Sequence, residues 1–167
     1  MSQKTKIVNI YTDGSCRGNG KEKNQGGWAA LIDVDGKHHI IGDHIDNTTN
    51  NRMELMAVLQ GFFNAVRCLP YDDGNEDLSE YTFNIYTDSA YIHNCYKQKW
   101  YANWEKNNWL NAKKQPVKNK DLWYDIIGLF KLDNVNFYKV AGHSGNEFNE
   151  IVDKMAVEFA INGGKNV

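Results

Sequence analysis

Proline and cysteine are scarce in this chain, two and three among 167 residues, and no apolar run approaches the ~20 residues that a helix needs to cross a bilayer. The first scarcity leaves little to interrupt helices and central strands. The second argues against a disulfide framework, because Cys16, Cys68 and Cys95 are odd in number and lack metal-ligand spacing, as suits free thiols in a reducing compartment. The polar start Ser2-Gln3-Lys4-Thr5-Lys6 leads directly into an apolar segment, not into a signal-peptide core, so a cytosolic, membrane-free protein is expected. Internal repeats and low-complexity stretches are also absent. What remains, 167 residues that are 41% hydrophobic, suffices for one domain over 1–167 with a proper core, expected as a monomer.

A strong charge of either sign is missing too, since the net value is −2. Spread evenly, that would disfavour a nucleic-acid partner. Residues 97–120, however, hold seven lysines (Lys97, Lys99, Lys106, Lys113, Lys114, Lys118 and Lys120) against the single acid Glu105, a local +6 that leaves −8 for the rest. A basic patch on an acidic body results.

Residues 6–13, 28–34 and 37–45 are rich in Ile, Val, Trp and Leu and are separated by glycines and by Asp35-Gly36, which predicts an antiparallel meander of three strands. After the capping side chains of Asn47-Thr48-Thr49-Asn50-Asn51, the residues Leu55, Val58, Leu59, Phe62, Phe63 and Val66 recur at helical spacing up to Pro70. Tyr81 to Tyr86 reads as a fourth strand, Ser89 as the cap of a short helix through Tyr96, and Val135 to Val140 as a fifth strand. Helices are predicted from Asp121 to about Leu132 and again over Ile151 to Ala160. The fold class expected is α/β, a five-stranded mixed sheet of meander plus parallel strands flanked by helices.

Two of these strands finish Tyr-Thr-Asp, at Asp13 and Asp88. A carboxylate ending an apolar strand is costly to bury alone, so something cationic should compensate it. With Glu54 early in the first helix and Asp153 on the last, four acids form the ligand set that a hard, oxygen-seeking cation such as magnesium selects. Singly each acid has a plainer reading: Asp13 or Asp88 as a turn former or cap, Glu54 as an acid favoured by the helix dipole, and Asp153 as a solvent-facing residue. One metal site explains the four together.

The order and spacing of several fragments resemble a known family. Tyr11-Thr12-Asp13-Gly14-Ser15 with Gly18-Asn19-Gly20, Thr48-Thr49-Asn50-Asn51-Arg52-Met53-Glu54-Leu55, Tyr86-Thr87-Asp88-Ser89, Pro116-Val117-Lys118-Asn119, and Gly142-His143-Ser144-Gly145-Asn146 with Asn149-Glu150 and Asp153 are similar to the motifs of type 1 ribonucleases H. Nearly the whole chain takes part. The resemblance implies the ribonuclease H-like fold and endonucleolytic hydrolysis of the RNA strand of RNA–DNA hybrids, leaving 5′-phosphate and 3′-hydroxyl ends. It further implies two magnesium ions, with manganese as a substitute. Asp13 would bridge both, Glu54, Asp88 and Asp153 would complete the shells, and two metals roughly 4 Å apart would activate water and stabilise the leaving oxygen.

His143, between glycines, would act in catalysis by accepting a proton from the attacking water or by assisting product departure; the plainer reading is an exposed loop histidine. Gly14, Ser15, Cys16, Asn19, Asn50, Asn51 and Asn149 resemble residues that contact substrate, the 2′-hydroxyl strand in particular, while Thr49, Arg52 and Asn119 are candidates for holding phosphates of the DNA strand. Lys113, Lys114 and Lys118 belong to what resembles the family's basic protrusion at 97–120, where Trp100, Trp104 and Trp123 are expected to serve packing. The chain departs from many relatives in carrying Ala90 where they have a glutamine, which removes one polar contact. The alternatives are a DNA-directed nuclease of the same fold, a hybrid-binding module without turnover, and a reverse-transcriptase fragment. The intact quartet counts against the second of these. The polar stretch Tyr71 to Glu80 is expected to be a local elaboration.

Overall fold

The structure, a computed structural model, describes residues 6–69, 77–141 and 146–162. Its centre is a five-stranded sheet of β1 (Lys6–Arg17), β2 (Gln25–Val34), β3 (Lys37–Asp46), β4 (Tyr81–Thr87) and β5 (Val135–Lys139), in the order β3-β2-β1-β4-β5. The β1–β2 and β2–β3 pairs are antiparallel, and β1–β4 and β4–β5 are parallel. Short links suffice for the antiparallel pairs. The parallel pairs need crossovers, and helices supply them: α1 (Asn50–Cys68) stands between β3 and β4, and α2 (Ala90–Gln98), α3 (Trp100–Lys106) and α4 (Lys120–Phe130) stand between β4 and β5. The chain's last helix is α5 (Glu147–Asn162).

Strand alternation decides which residues become core. Tyr81, Phe83, Ile85 and Thr87 of β4 are buried while the residues between them are partly exposed, the period-two signature of a pleated strand. Val8, Ile10 and Ile32 join Phe83 and Ile85 in the main core with Leu55, Val58 and Phe62 of α1 and with Trp123 and Ile126 of α4. On the opposite face, Ala29 and Leu31 pack against Val152 and Ala156 of α5.

The expected meander, helices and parallel strands are all present; α3 is additional, β2 begins three residues earlier at Gln25, and β1 is longer than expected. β1 does not stop at Asp13 but continues to Arg17, paired with β2 through Gly26 and Gly27. Glycines that read as a break in sequence serve close packing instead. A Cβ on Gly14 would collide with the backbone of Met53 and Glu54, and one on Gly27 with the Ala156 carbonyl and the Ala160 nitrogen. Both helices thus approach the sheet where side chains are missing.

Segment 97–120 contains α3 and a loop closed by a bridge between Leu110 and Pro116. Trp100 and Trp104 pack on the core, and the rings of Trp104 and Trp123 lie 5.5 Å apart, so these tryptophans pack as expected. Lys113, Lys114 and Lys118 are exposed. Of the stretch Tyr71 to Glu80, residues 71–76 lie outside the described residues, while Leu78–Glu80 form a short 3-10 turn capped by Asp77.

Candidate active site

Parallel pairing between β1 and β4 ends at Thr12 opposite Thr87, so the next residue of each strand, Asp13 and Asp88, emerges side by side at the carboxyl end of the sheet. Both threonines are fully buried. Thr12 Oγ1 donates to the Tyr86 carbonyl at 3.1 Å, and Thr87 Oγ1 accepts from the Ser89 amide at 3.1 Å, which fixes the backbone on either side of the two acids. Ser89 then caps α2, its Oγ accepting from the Ile92 amide at 3.2 Å. Thr49 caps α1 by accepting from the Arg52 amide at 3.1 Å, and the helix that follows brings Glu54 to the same place. With the helix starting at Asn50, Glu54 lies in the second turn, beyond the stretch where a dipole-favoured acid sits.

Asp13, Glu54 and Asp88 offer carboxylate oxygens that all lie within 4.8 Å of one another. Asp153 of α5 joins them through a side-chain hydrogen bond with Asp13. These acids, with Ser15, Asn50, Asn51 and Tyr91 among others, line an open cleft of about 530 Å³. Asp13 is 3% exposed and Glu54 Oε2 is buried with no hydrogen-bond partner. Among the described residues no Lys, Arg or His forms an ion pair with Asp13, Glu54 or Asp88. Burial, and then the Asp88 charge, push the Asp13 carboxyl up to about 8, and burial with the neighbouring Asp13 and Asp88 charges raises Glu54 well above its ordinary value. The Gly14 amide donates to Asp13 Oδ1 at 2.9 Å. Crowded, desolvated carboxylates with an orphaned oxygen and no counter-cation form a site that a divalent cation fits.

Other predicted residues distribute around this cluster. Gly14, Ser15, Asn50 and Asn51 line the cleft. Cys16 is buried, its Sγ donating to the Thr48 carbonyl at 3.6 Å, so only its backbone is available to a ligand. Beyond Thr12 β1 has β2 on one side only, which leaves the other backbone edge of Gly14, Ser15 and Cys16 outside the ladder. Asn19 is exposed and its Oδ1 accepts from the Asn50 amide at 3.1 Å, tying the β1–β2 turn to the start of α1. Asn149 is 2% exposed, and its amide donates to Asn146 Oδ1 at 3.0 Å; its side chain does not line the cleft. His143 and the Gly142-to-Gly145 turn lie outside the described residues.

Arg52 and Asn119 meet, with the guanidinium donating to Asn119 Oδ1 at 3.3 Å. The same guanidinium grips Asp121 through both carboxylate oxygens, at 3.0 and 2.6 Å, a partner that sequence reasoning took only for the acid opening α4. The pairing holds the Asp121 carboxyl below its usual range. The spacing Asn119-x-Asp121 was the available signal. Tyr91 is another residue that the motifs did not single out: it lines the cleft, and its hydroxyl accepts from Trp123 Nε1 at 2.8 Å, linking the cleft wall to the tryptophan cluster. Ala90 also lines the cleft and offers no polar group there.

Comparison with known proteins agrees with this arrangement. The model of the family described as RNase H matches residues 5–161. The chain is 41% identical over 158 residues to the ribonuclease H of Thermoanaerobacter sp. (strain X514), covering 95% of this chain and 92% of that one. It is 44% identical over 153 residues to the ribonuclease H of Clostridium botulinum (strain Hall), covering 92% and 95%. Among solved structures it is similar to LC9-RNase H1, a type 1 RNase H with the type 2 active-site motif, at TM-score 0.71 and 28% identity, over 95% of this chain and 74% of that one. The fold is also that of LC11-RNase H1 solved with an RNA/DNA hybrid, at TM-score 0.62 and 20% identity over 90% and 97% of the two chains. The sheet order, the acidic cluster at its carboxyl end and these matches lead to one conclusion: the chain belongs to the ribonuclease H family of endonucleases.

Proposed function

We propose that this protein is a type 1 enzyme that hydrolyses the RNA strand of RNA–DNA hybrids at internal positions, leaving 5′-phosphate and 3′-hydroxyl ends. The observation that carries the reading is the cluster of Asp13, Glu54 and Asp88 oxygens within 4.8 Å, without a counter-cation, at the end of a sheet of this family. Asp13, Glu54, Asp88 and Asp153 would hold two magnesium ions, and manganese would substitute. Such ions supply an activated water, charge relief on the phosphorane-like transition state and stabilisation of the departing 3′ oxygen.

The chain's own residues have separable tasks. Asp13 and Glu54, whose protonation is favoured by burial, give up protons when a cation enters. Asn50, Asn51 and Asn19, with the backbone of Gly14, Ser15 and Cys16 along the edge that β4 leaves unpaired, offer donors and acceptors to a 2′-hydroxyl, the group that separates RNA from DNA. Thr49 at the cap of α1, Arg52 and the Asn119 side chain that the Arg52 guanidinium meets are assigned to a phosphate of the DNA strand, with Lys113, Lys114 and Lys118 further along the same strand. Asn149, being buried, serves substrate binding through the placement of the start of α5. His143, on the strength of its motif, accepts a proton from the attacking water or assists product departure. The unpaired thiols of Cys16, Cys68 and Cys95 fit a cytosolic setting, and no helix among the described residues is long and apolar enough to cross a membrane.

The test is the cleavage of one labelled RNA strand supplied as hybrid, as RNA duplex and, in its DNA version, as DNA duplex, with the ends of the products identified. Cutting of the hybrid alone, with 5′-phosphate products, is the expected result. Cutting of DNA duplex moves the protein to a DNA-directed nuclease of the same fold, and tight hybrid binding without cutting makes it a binding module.

A further inference from the structure

Outside residues 97–120 the chain carries −8, yet the structure gathers three cations at one place in that acidic remainder. Arg17, Lys21 and Lys23, with Asn24, Asp46 and Asn47, line a concavity of about 570 Å³ at the β1–β2 turn. All three cations are exposed, and none is in an ion pair among the described residues. The one acid in the lining, Asp46, is engaged by His44 at 2.7 Å. The lining thus carries three cations against one acid, with exposed Glu22 between Lys21 and Lys23 on the same turn, and keeps a net positive charge.

The turn is also held in shape. The Lys21 amide donates to the Gly18 carbonyl at 2.9 Å, Asn24 Nδ2 to the Lys21 carbonyl at 3.2 Å, and Asn24 Oδ1 accepts from the Thr48 amide at 2.7 Å. The Asn47 amide donates to the Asn24 carbonyl at 3.0 Å. Gly18 and Gly20 at φ 76° and 84° permit the bend. The scaffold is thus bolted to the segment that caps α1, where Asn19 accepts from the Asn50 amide beside the cleft. Arg17 is four residues beyond Asp13 along an extended strand, roughly 13 Å at ~3.3 Å per residue, a few nucleotides from the acidic cluster.

We propose that this concavity is a second phosphate-binding site, which grips the backbone of the hybrid where it leaves the cleft on the side of Asn19, away from the basic segment 97–120. The inference rests on the hybrid-cleaving reading and extends it: the substrate is held at two cationic places on either side of the acidic centre. A free-standing anion would find the same charges, but the spacing along β1 suits a polymer that is also in the cleft. Three separated cations meeting successive phosphates add a salt-dependent contribution to binding and leave the chemical step alone.

The experiment compares the full-length protein with the triple variant Arg17→Gln, Lys21→Gln, Lys23→Gln, on a short hybrid of about 8 base pairs and a long one of about 20, at several salt concentrations. Binding is read by fluorescence anisotropy of labelled hybrid in chelator, and KM and kcat are read with magnesium. The expected result is a weakening of long-hybrid binding and a rise in its KM of about tenfold with kcat unchanged, and a salt slope shallower by about two to three. The short hybrid should respond much less, and inorganic phosphate at millimolar level should not reproduce the long hybrid's sensitivity. Unchanged long-hybrid affinity and salt slope overturn the site while leaving hybrid cleavage standing. Loss of affinity in the variant of a protein that binds but never cuts supports the site and overturns the activity, so the two failures are distinguishable. The thermal midpoint of the triple variant should match the parent, since all three side chains are exposed.

Discussion

Asp13 within β1 and Asp88 just past β4 show how a strand pair can build a site: the pairing between the two strands stops one residue before each of them, and α1 and α5 add Glu54 and Asp153 from elsewhere in the chain. Asp13 and Asp88 were legible in sequence because each closes an apolar run as Tyr-Thr-Asp. Asp153 was not, because helical periodicity alone makes it a solvent-facing residue; only its motif context drew attention to it, and its bond with Asp13 supplies the physical reason. Asp121 stayed hidden because its partner Arg52 is 69 positions away. His143 is tested by substitution: His143→Ala should lower kcat by about 10²-fold or more, as loss of a general acid–base group does, with magnesium affinity measured by calorimetry unchanged. Equal turnover in variant and parent would remove it from the catalytic set.

At the level of elements, the strands and helices followed from apolar periodicity, whereas the extension of β1 to Arg17 did not. Glycine reads as a strand breaker, and only the approach of α1 and α5 shows that the missing Cβ atoms at Gly14 and Gly27 are what the packing needs. Gly27→Ala should therefore drive α5 away from β2, destabilise the fold by about 1–3 kcal/mol, and weaken magnesium binding by shifting Asp153. Denaturant unfolding and calorimetry check both parts, and an unchanged unfolding midpoint would contradict the close approach. The basic loop after α3 makes a different prediction. Replacing Lys113, Lys114 and Lys118 by glutamine should flatten the dependence of log affinity on log salt by about 0.9 for each lysine that meets a phosphate. The cluster of Arg17, Lys21 and Lys23 escaped sequence reading because Gly18, Gly20 and Glu22 break up any run of charge, and folding alone closes it around one concavity.

For the molecule as a whole, the acidic centre sets a tension between folding and function. Asp13 in the folded, metal-free protein is pushed up to about 8 from an ordinary 3.8, and Glu54 is raised as well, so the fold favours their protonated forms. A raised folded-state value means stability that is fully present below pH ~4 and is lost as pH climbs towards 8. In chelator, the thermal midpoint should therefore fall from pH 5 to pH 8 more steeply for the parent than for Asp13→Asn, which removes one titrating carboxyl and relieves the other. Magnesium should oppose the fall, because it binds the deprotonated form and stabilises only the folded state. Matching pH profiles for the two proteins would show that the cluster carries no such strain.

If the four-carboxylate cluster makes this family member a metal-dependent cutter of hybrids, single-turnover cleavage of an end-labelled RNA–DNA hybrid should follow the metal and the carboxylates. Parent and Asp88→Asn are compared in chelator, after addition of magnesium, and after chelator is restored. The parent should cut only while magnesium is present, and the variant should lose at least about 10²-fold with hybrid affinity retained. Cutting that persists in chelator, or a variant as fast as the parent, would contradict it.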